Sequence, residues 1–569
     1  MKKSLYTIAI VALVGGMLFS SCKKDSDVVT LKAQIERVGG DSKVWLNSND
    51  TPVFFQQNEK VKINGDQPLD IVYSGGQYTL TPNPATNYYA VYPASIVTDA
   101  TISGTTVNIK LPHLQNYVEE NGHQKIDLPC GAVITNNSST MLRFYNLCSL
   151  IEVQCTIPEG VEGSYTISSI EVTAEGKGLW GEGTATLAGA SSAINIAYNG
   201  KNSRVVLEIP SAQAVSEGQS TGKYYVVVPP YSGSTTFTVK VRFNQGKSSF
   251  TATKTGAVLG RNIIVELSSE TEPEEDNEIS GYFSISSTQK VVFSKGNLQH
   301  HGAVNNVSAG TWFFAENQYD FYGANNFADP NAYDESDVLS TTVDLFSWSM
   351  NNESTYGQSN VASPSYGVRA PVESNNYDFS AGSFRDWGNL QISGDPSGVW
   401  FTLSPTEWSY MLNTRPNAAA LRANTEITGV TGHPTGATTI QGFLIFPDDW
   451  TEADIPSGIT LSEGVNSISV ANWKRLEAVG AVFLPAAGYR SNTRSYVDYE
   501  GTYKLGNYWT NSRAGGSDEA YYMAYTYNAD NYAVSMLSRD AKTYLGHAVR
   551  LVKSAPGYQM TGRWATGSK

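Results

Sequence analysis

Few residues in this chain have the types and spacing that do chemistry. Its six histidines form no His-Glu-x-x-His helix, and no Gly-x-Ser-x-Gly elbow is present. Asp448-Asp449 beside Trp450 is the acidic pair best placed against an aromatic ring, as a sugar-cleaving site would need. Because it follows Pro447, the pair reads instead as a turn over a buried tryptophan. Of the four cysteines, Cys130, Cys148 and Cys155 show neither C-x-x-C nor zinc spacing. Cys148 and Cys155 lie seven apart in one strand-like run, so they face opposite sides. At most one pair, Cys130 with Cys148, is left to bridge, and buried free thiols are the expectation. No catalytic residue, metal site or cofactor is expected.

What must position these residues is a long chain of strands. With 569 residues, two to four domains are expected. The 33 Tyr and 51 Gly favour short strands and tight turns. The net charge of −14, with no basic patch, excludes nucleic acid as a partner.

Lys2 and Lys3, the apolar run from Ser4 to Phe19, and Ser20-Ser21 have the order of an export signal. The apolar run is shorter than the roughly 20 residues that span a bilayer. Leu18-Phe19-Ser20-Ser21-Cys22 resembles a bacterial lipobox, with Phe19 bulkier than usual. It implies lipid on Cys22 and an anchor in the outer membrane. Lys23 to Asp27 resembles the charged tether of surface-exported lipoproteins.

Val29, Leu31, Ala33 and Ile35 alternate with polar residues, a period-two strand that ends at Arg37. Strand-like runs continue at Glu59–Ile63 before Asn64-Gly65, Tyr88–Pro93, Val107–Leu111, Met141–Ile157, Ile170–Ala174, Val205–Ile209, Tyr224–Pro230, Phe237–Phe243 and Arg261–Leu267. With scarcely any amphipathic helix among them, two successive β-sandwiches are predicted.

In this order VTLKAQIERV, NYYAVYPAS, SSTMLRFYNLCSLIEVQC, YYVVVPPYSG and GAVLGRNIIVELS resemble the fimbrillin-like (Mfa-like) pilus proteins of Gram-negative anaerobes. The resemblance implies two transthyretin/fimbrillin-like sandwiches. It also implies assembly by strand exchange: the first strand is cut away and a neighbour's strand fills the groove. Arg37 is the candidate for that cut.

Ser268 to Asn277 is acidic and lacks any apolar residue, a linker composition without EF-hand spacing. Beyond it, FSKGNLQ, TWFFAENQYD, DLFSWS, FTLSPTEWSYML, GFLIFPDDW, VFLPAAGYR, GNYWTNS and GHAVRLVK resemble, in order, the C-type-lectin-like fold of the major paralogous domains and of formylglycine-generating-enzyme relatives. The resemblance implies an α+β head with long recognition loops. The head lacks the active-site cysteines of those enzymes, which argues against their activity. Trp509-Thr510-Asn511 lacks the acid of the Trp-Asn-Asp triplet found in calcium lectins. Ser404, Pro405 and Glu407 carry the signature of a capped helix start. Trp400, Trp408, Trp450 and Trp509 read as core, while the loop residues Tyr322, Tyr333, Tyr356 and Tyr366 are the candidate ligand contacts.

The expected organisation is a signal peptide (1–21), a lipidated tether (22–29), two sandwiches (30–150 and 151–268), an acidic linker (269–280), the head (281–553) and a tail (554–569). The tail lacks the alternation a donor strand needs, which points to a tip position. The expected function is that of a non-enzymatic fimbrial subunit. Its partners are other pilus subunits through a donated strand, a surface glycan or protein through the head, and the outer membrane before assembly. The alternative is a glycan-binding surface lipoprotein of a nutrient-uptake system that never polymerises.

Overall fold

The computed structural model describes residues 29–35, 59–323, 338–346 and 386–556, together with Trp348 and Tyr558 and excluding short internal segments, the longest of them 528–538. The fold is mostly β, in several packed sheets. Among the described residues no helix is long and apolar enough to cross a membrane.

Leu31–Ile35 keeps the alternation its sequence predicts, with Leu31 and Ala33 buried and Lys32 and Gln34 exposed. It lies inside an eight-stranded sheet, parallel to Met141–Asn146 on one side and antiparallel to Gln77–Leu80 on the other. The buried face of this sheet carries Leu31 and Ala33 on one part and Val61 and Ile63 on another, all in one core. Asn64, at φ 44°, turns Lys60–Ile63 back towards its partner Leu69–Asp70.

Thr106–Leu111 also alternates as predicted. Its ladder partner, however, is Gly181–Thr186 from the following segment. Leu114–Asn116 likewise pairs with Arg204–Glu208. A period-two pattern fixes which face is buried but not which strand lies alongside, so a boundary near residue 150 does not separate these sheets.

The second sandwich sets a three-stranded sheet (Tyr224–Val228, Ser149–Thr156, Ile264–Glu270) against a six-stranded one. The latter includes Ile167–Ala174, Arg204–Glu208, Thr235–Phe243 and Ser248–Ala257. Cys148 and Cys155 do face opposite sides, packing into separate cores, while Cys130 sits in a third. All three are buried thiols, not disulfides. Burial pushes Cys148 far up, and Cys155 up to about 12.

The head holds a four-stranded sheet (Arg422–Thr428, Thr439–Ile445, Asn466–Ser469, Val482–Pro485) and a second four-stranded sheet built on Tyr503–Arg513 and Glu519–Tyr527. The expected helix start is present. Ser404 accepts from the Glu407 N–H at 3.3 Å and the Glu407 carboxylate accepts from the Ser404 N–H at 2.7 Å, capping Pro405–Ser409. One π-helical turn, Tyr410–Thr414, follows. Among the described residues Val470–Ala478, capped by Ser469, is the other α-helix. Trp312, Trp348, Trp387, Trp400 and Trp509 share one aromatic core, and Trp408 and Trp450 are buried in the main one.

Candidate functional site

The central strands of the six-stranded sheet, Ile167–Ala174, Arg204–Glu208 and Thr235–Phe243, are buried on both faces. Ile170, Val172, Val205, Leu207, Val239 and Val241 point into the second sandwich. The alternate positions, Glu171, Arg204, Glu208 and Arg242, are buried as well, and they meet the head. Burying charges is costly unless each is paired, and each of these is. Arg204 grips Asp449 with two bonds, Nε to Oδ2 at 2.9 Å and Nη2 to Oδ1 at 3.0 Å, and donates to Ser280 Oγ at 2.7 Å. Arg242 donates to Asp276 at 3.0 Å and to Glu171 at 3.1 Å. Lys240 reaches Asp276 and Glu278, both at 2.7 Å, and Lys553 meets the far side of Glu278 at 2.5 Å. Flanked by Arg242 and Arg204, the Glu171 carboxyl is held down at about 2 despite its burial. Leu114 and Val206 complete the contact by joining the head's own core.

One sequence expectation changes here. The acidic segment 269–280 is not a solvated linker. Ile264–Glu270 ends within it, Glu274–Glu275 pairs with Ser248–Ser249, and Asp276 is buried between Lys240 and Arg242. Asp276 and Glu278 are counterions of the sheet beside it, while Glu272, Glu274 and Glu275 are exposed. Asp448-Asp449 forms the turn expected beside the buried Trp450, with both acids paired. Asp448 pairs with Arg415 at 3.0 Å and accepts from Ser284, while Asp449 takes Arg204. Asn511 is spent on the Thr402 carbonyl at 3.1 Å, and Trp509 donates to Phe346 O at 2.6 Å. Among the described residues, no group of three or more His, Cys, Asp or Glu is set to hold a metal ion.

Beside this junction lies a cleft of about 1590 Å³ between the second sandwich and the head. The sandwich contributes Glu208, Pro210, Arg242 and Asn244; the head contributes Phe313, Asn317, Asp320, Tyr322 and Lys474. The polar groups of the head wall are interlocked. Asn317 donates to Asp320 Oδ2 through its backbone at 3.1 Å and its side chain at 2.9 Å. Lys474 bridges Asn317 Oδ1 and Glu477 Oε2, both at 3.0 Å. Gln318 holds the other Glu477 oxygen at 3.0 Å. Across the cleft mouth Arg475 pairs with Glu208 at 2.8 Å. Burial raises the Asp320 carboxyl, and the Asn317 bonds only partly offset this.

Of the residues named as candidates from sequence, Tyr322 lies in this cleft, half-buried, with its N–H fixed on Asp344 Oδ2 at 2.9 Å. Cys22, Arg37, Tyr333, Tyr356 and Tyr366 lie outside the described residues. Sequence reasoning missed Glu208, Asn317, Asp320, Lys474 and Arg475. Each looks like an ordinary exposed polar residue, and only the juxtaposition of two distant segments makes a wall of them.

No protein-family model matches the chain, and no curated protein matches it. Among solved structures it is similar to proposed cell adhesion proteins. One from Bacteroides uniformis shares 10% identity at a TM-score of 0.25, over 44% of this chain and 98% of the other. Another, from Bacteroides fragilis, shares 9% at 0.23, over 42% and 91%. A third, from Bacteroides eggerthii, shares 13% at 0.23, over 43% and 87%. At these scores the likeness carries no weight for the function of this chain.

Proposed function

We propose that this chain is an adhesive subunit of a surface filament, exported as a lipoprotein on Cys22 and assembled by strand exchange, with its head presented at the tip as a lectin-like adhesive module. The observation that carries the reading is the place of Leu31–Ile35. It is a five-residue strand inside a sheet, held by two ladders and filling the core with Leu31 and Ala33. Taking it out would leave two unpaired strand edges and two apolar holes, the receptor that an extended segment of matching alternation fills. Gln77–Leu80 and Val72–Ser74 join the rest of the sheet through this strand, so an incoming strand would have to bind both neighbours at once.

The reading is tested by complementation. A chain beginning at Val38 is expected to self-associate, and to become monomeric and melt cooperatively when a synthetic peptide spanning residues 28–37 is added. The same peptide with Leu31 and Ala33 both changed to Asp is expected to fail. A chain from Val38 that is monomeric and equally stable without peptide contradicts strand exchange. Gold labelling along the shaft, and not only at filament ends, contradicts the tip position.

A further inference from the structure

We propose that the cleft between the second sandwich and the head binds an extended, uncharged polysaccharide segment. This deepens the adhesive reading and rests on it only for the biological setting. Size is the first argument. At about 1590 Å³ the cleft exceeds the roughly 300–1,000 Å³ of a small-molecule pocket, so it suits a chain of several rings better than a single metabolite.

Charge is the second argument. Five cations and six carboxylates line the cleft, and every one of the five cations already holds a carboxylate. The pairs are Arg242 with Asp276 and Glu171, Lys247 with Glu316, Lys295 with Glu275, Lys474 with Glu477, and Arg475 with Glu208. A sulfated or sialylated glycan, or a nucleic acid, would meet six carboxylates and only cations already neutralised, and would be repelled. A hydroxyl is not, because it donates and accepts at once and can use the remaining lone pairs and protons of a fixed ion pair.

The third argument is preorganisation. Asn317, Asp320, Lys474 and Glu477 are locked to one another, so binding costs them little side-chain freedom. Phe313 and Tyr322, both half-buried, add flat faces to the same wall, and such rings contact the C–H face of a sugar at low entropic cost. An extended peptide would look for a long free strand edge. Of the edge strands at this cleft, Glu274–Glu275 is two residues long, and Gly310–Phe314 already has its Trp312 carbonyl and Phe314 N–H bonded to Ser393.

The test is calorimetric titration of the full mature chain with cellohexaose, xylohexaose, maltohexaose and mannohexaose, with a heparin hexasaccharide as the charged comparison. At least one neutral hexasaccharide is expected to bind with an affinity unchanged by added salt. Tyr322→Ala, which leaves the backbone bond to Asp344 in place, is expected to weaken it by about tenfold without changing the melting temperature. Ala471→Trp, at an exposed helix position that lines the cleft, fills the space without touching the core and is expected to abolish binding. The inference is overturned if no neutral hexasaccharide binds, if Ala471→Trp binds as well as the parent chain, or if heparin alone binds in a salt-dependent way. If the cleft binds but the chain never enters filaments, the inference stands and the fimbrial reading falls. If the chain forms filaments and the cleft does not bind, the reverse holds.

Discussion

At the scale of single residues, the junction between the second sandwich and the head depends on charges placed where apolar residues are normally found. Arg204 is almost wholly buried, and Asp449 is its principal counterion. Removing one partner of such a pair leaves an uncompensated charge, so Arg204→Met is expected to destabilise the protein by roughly 3–5 kcal/mol. Adding Asp449→Leu is expected to recover much of that loss. A thermal melt of the two variants checks both statements, and an additive double variant would contradict them. Glu171 makes the junction pH-dependent. Its folded pKa of about 2 lies below the ordinary 4.5, so it contributes on the order of 3 kcal/mol above about pH 4.5. That contribution is lost as pH falls from there through 2. The melting temperature is expected to be steady from pH 7 to 5 and to drop below it, and Glu171→Gln is expected to flatten the drop.

At the scale of elements, local chemistry was legible in the sequence and long-range pairing was not. The capping box at Ser404 and Glu407 is set by residues three apart, and the structure contains it as read. Ser404→Ala is expected to cost about 1 kcal/mol, seen as a lower melting midpoint with unchanged strand content. The faces of Leu31–Ile35 and Thr106–Leu111 were legible because alternation alone determines them. The partner of Thr106–Leu111 lies 70 or more residues away in Gly181–Thr186, and no local signal names it. The acidic stretch 269–280 was misread for the same reason. Composition tells that it carries charge, whereas the Lys240 and Arg242 that pair with Asp276 and Glu278 belong to a strand seen as merely alternating. The cleft was legible only at Tyr322.

At the scale of the whole molecule, the two halves are coupled. The outward face of the six-stranded sheet closes against the head through ion pairs and through Leu114 and Val206. Force or orientation applied to the head would thereby be passed to the sandwiches, as the proposed adhesive role requires. In the eight-stranded sheet, Leu31–Ile35 is the strand that the proposed assembly would replace. The most direct test of that claim is the N-terminal residue of the protein recovered from sheared surface filaments. The account predicts a start at Val38, with the first strand gone after cleavage at Arg37. An intact, lipidated Cys22 on protein that is absent from filaments would contradict it, and would leave a glycan-binding surface lipoprotein in its place.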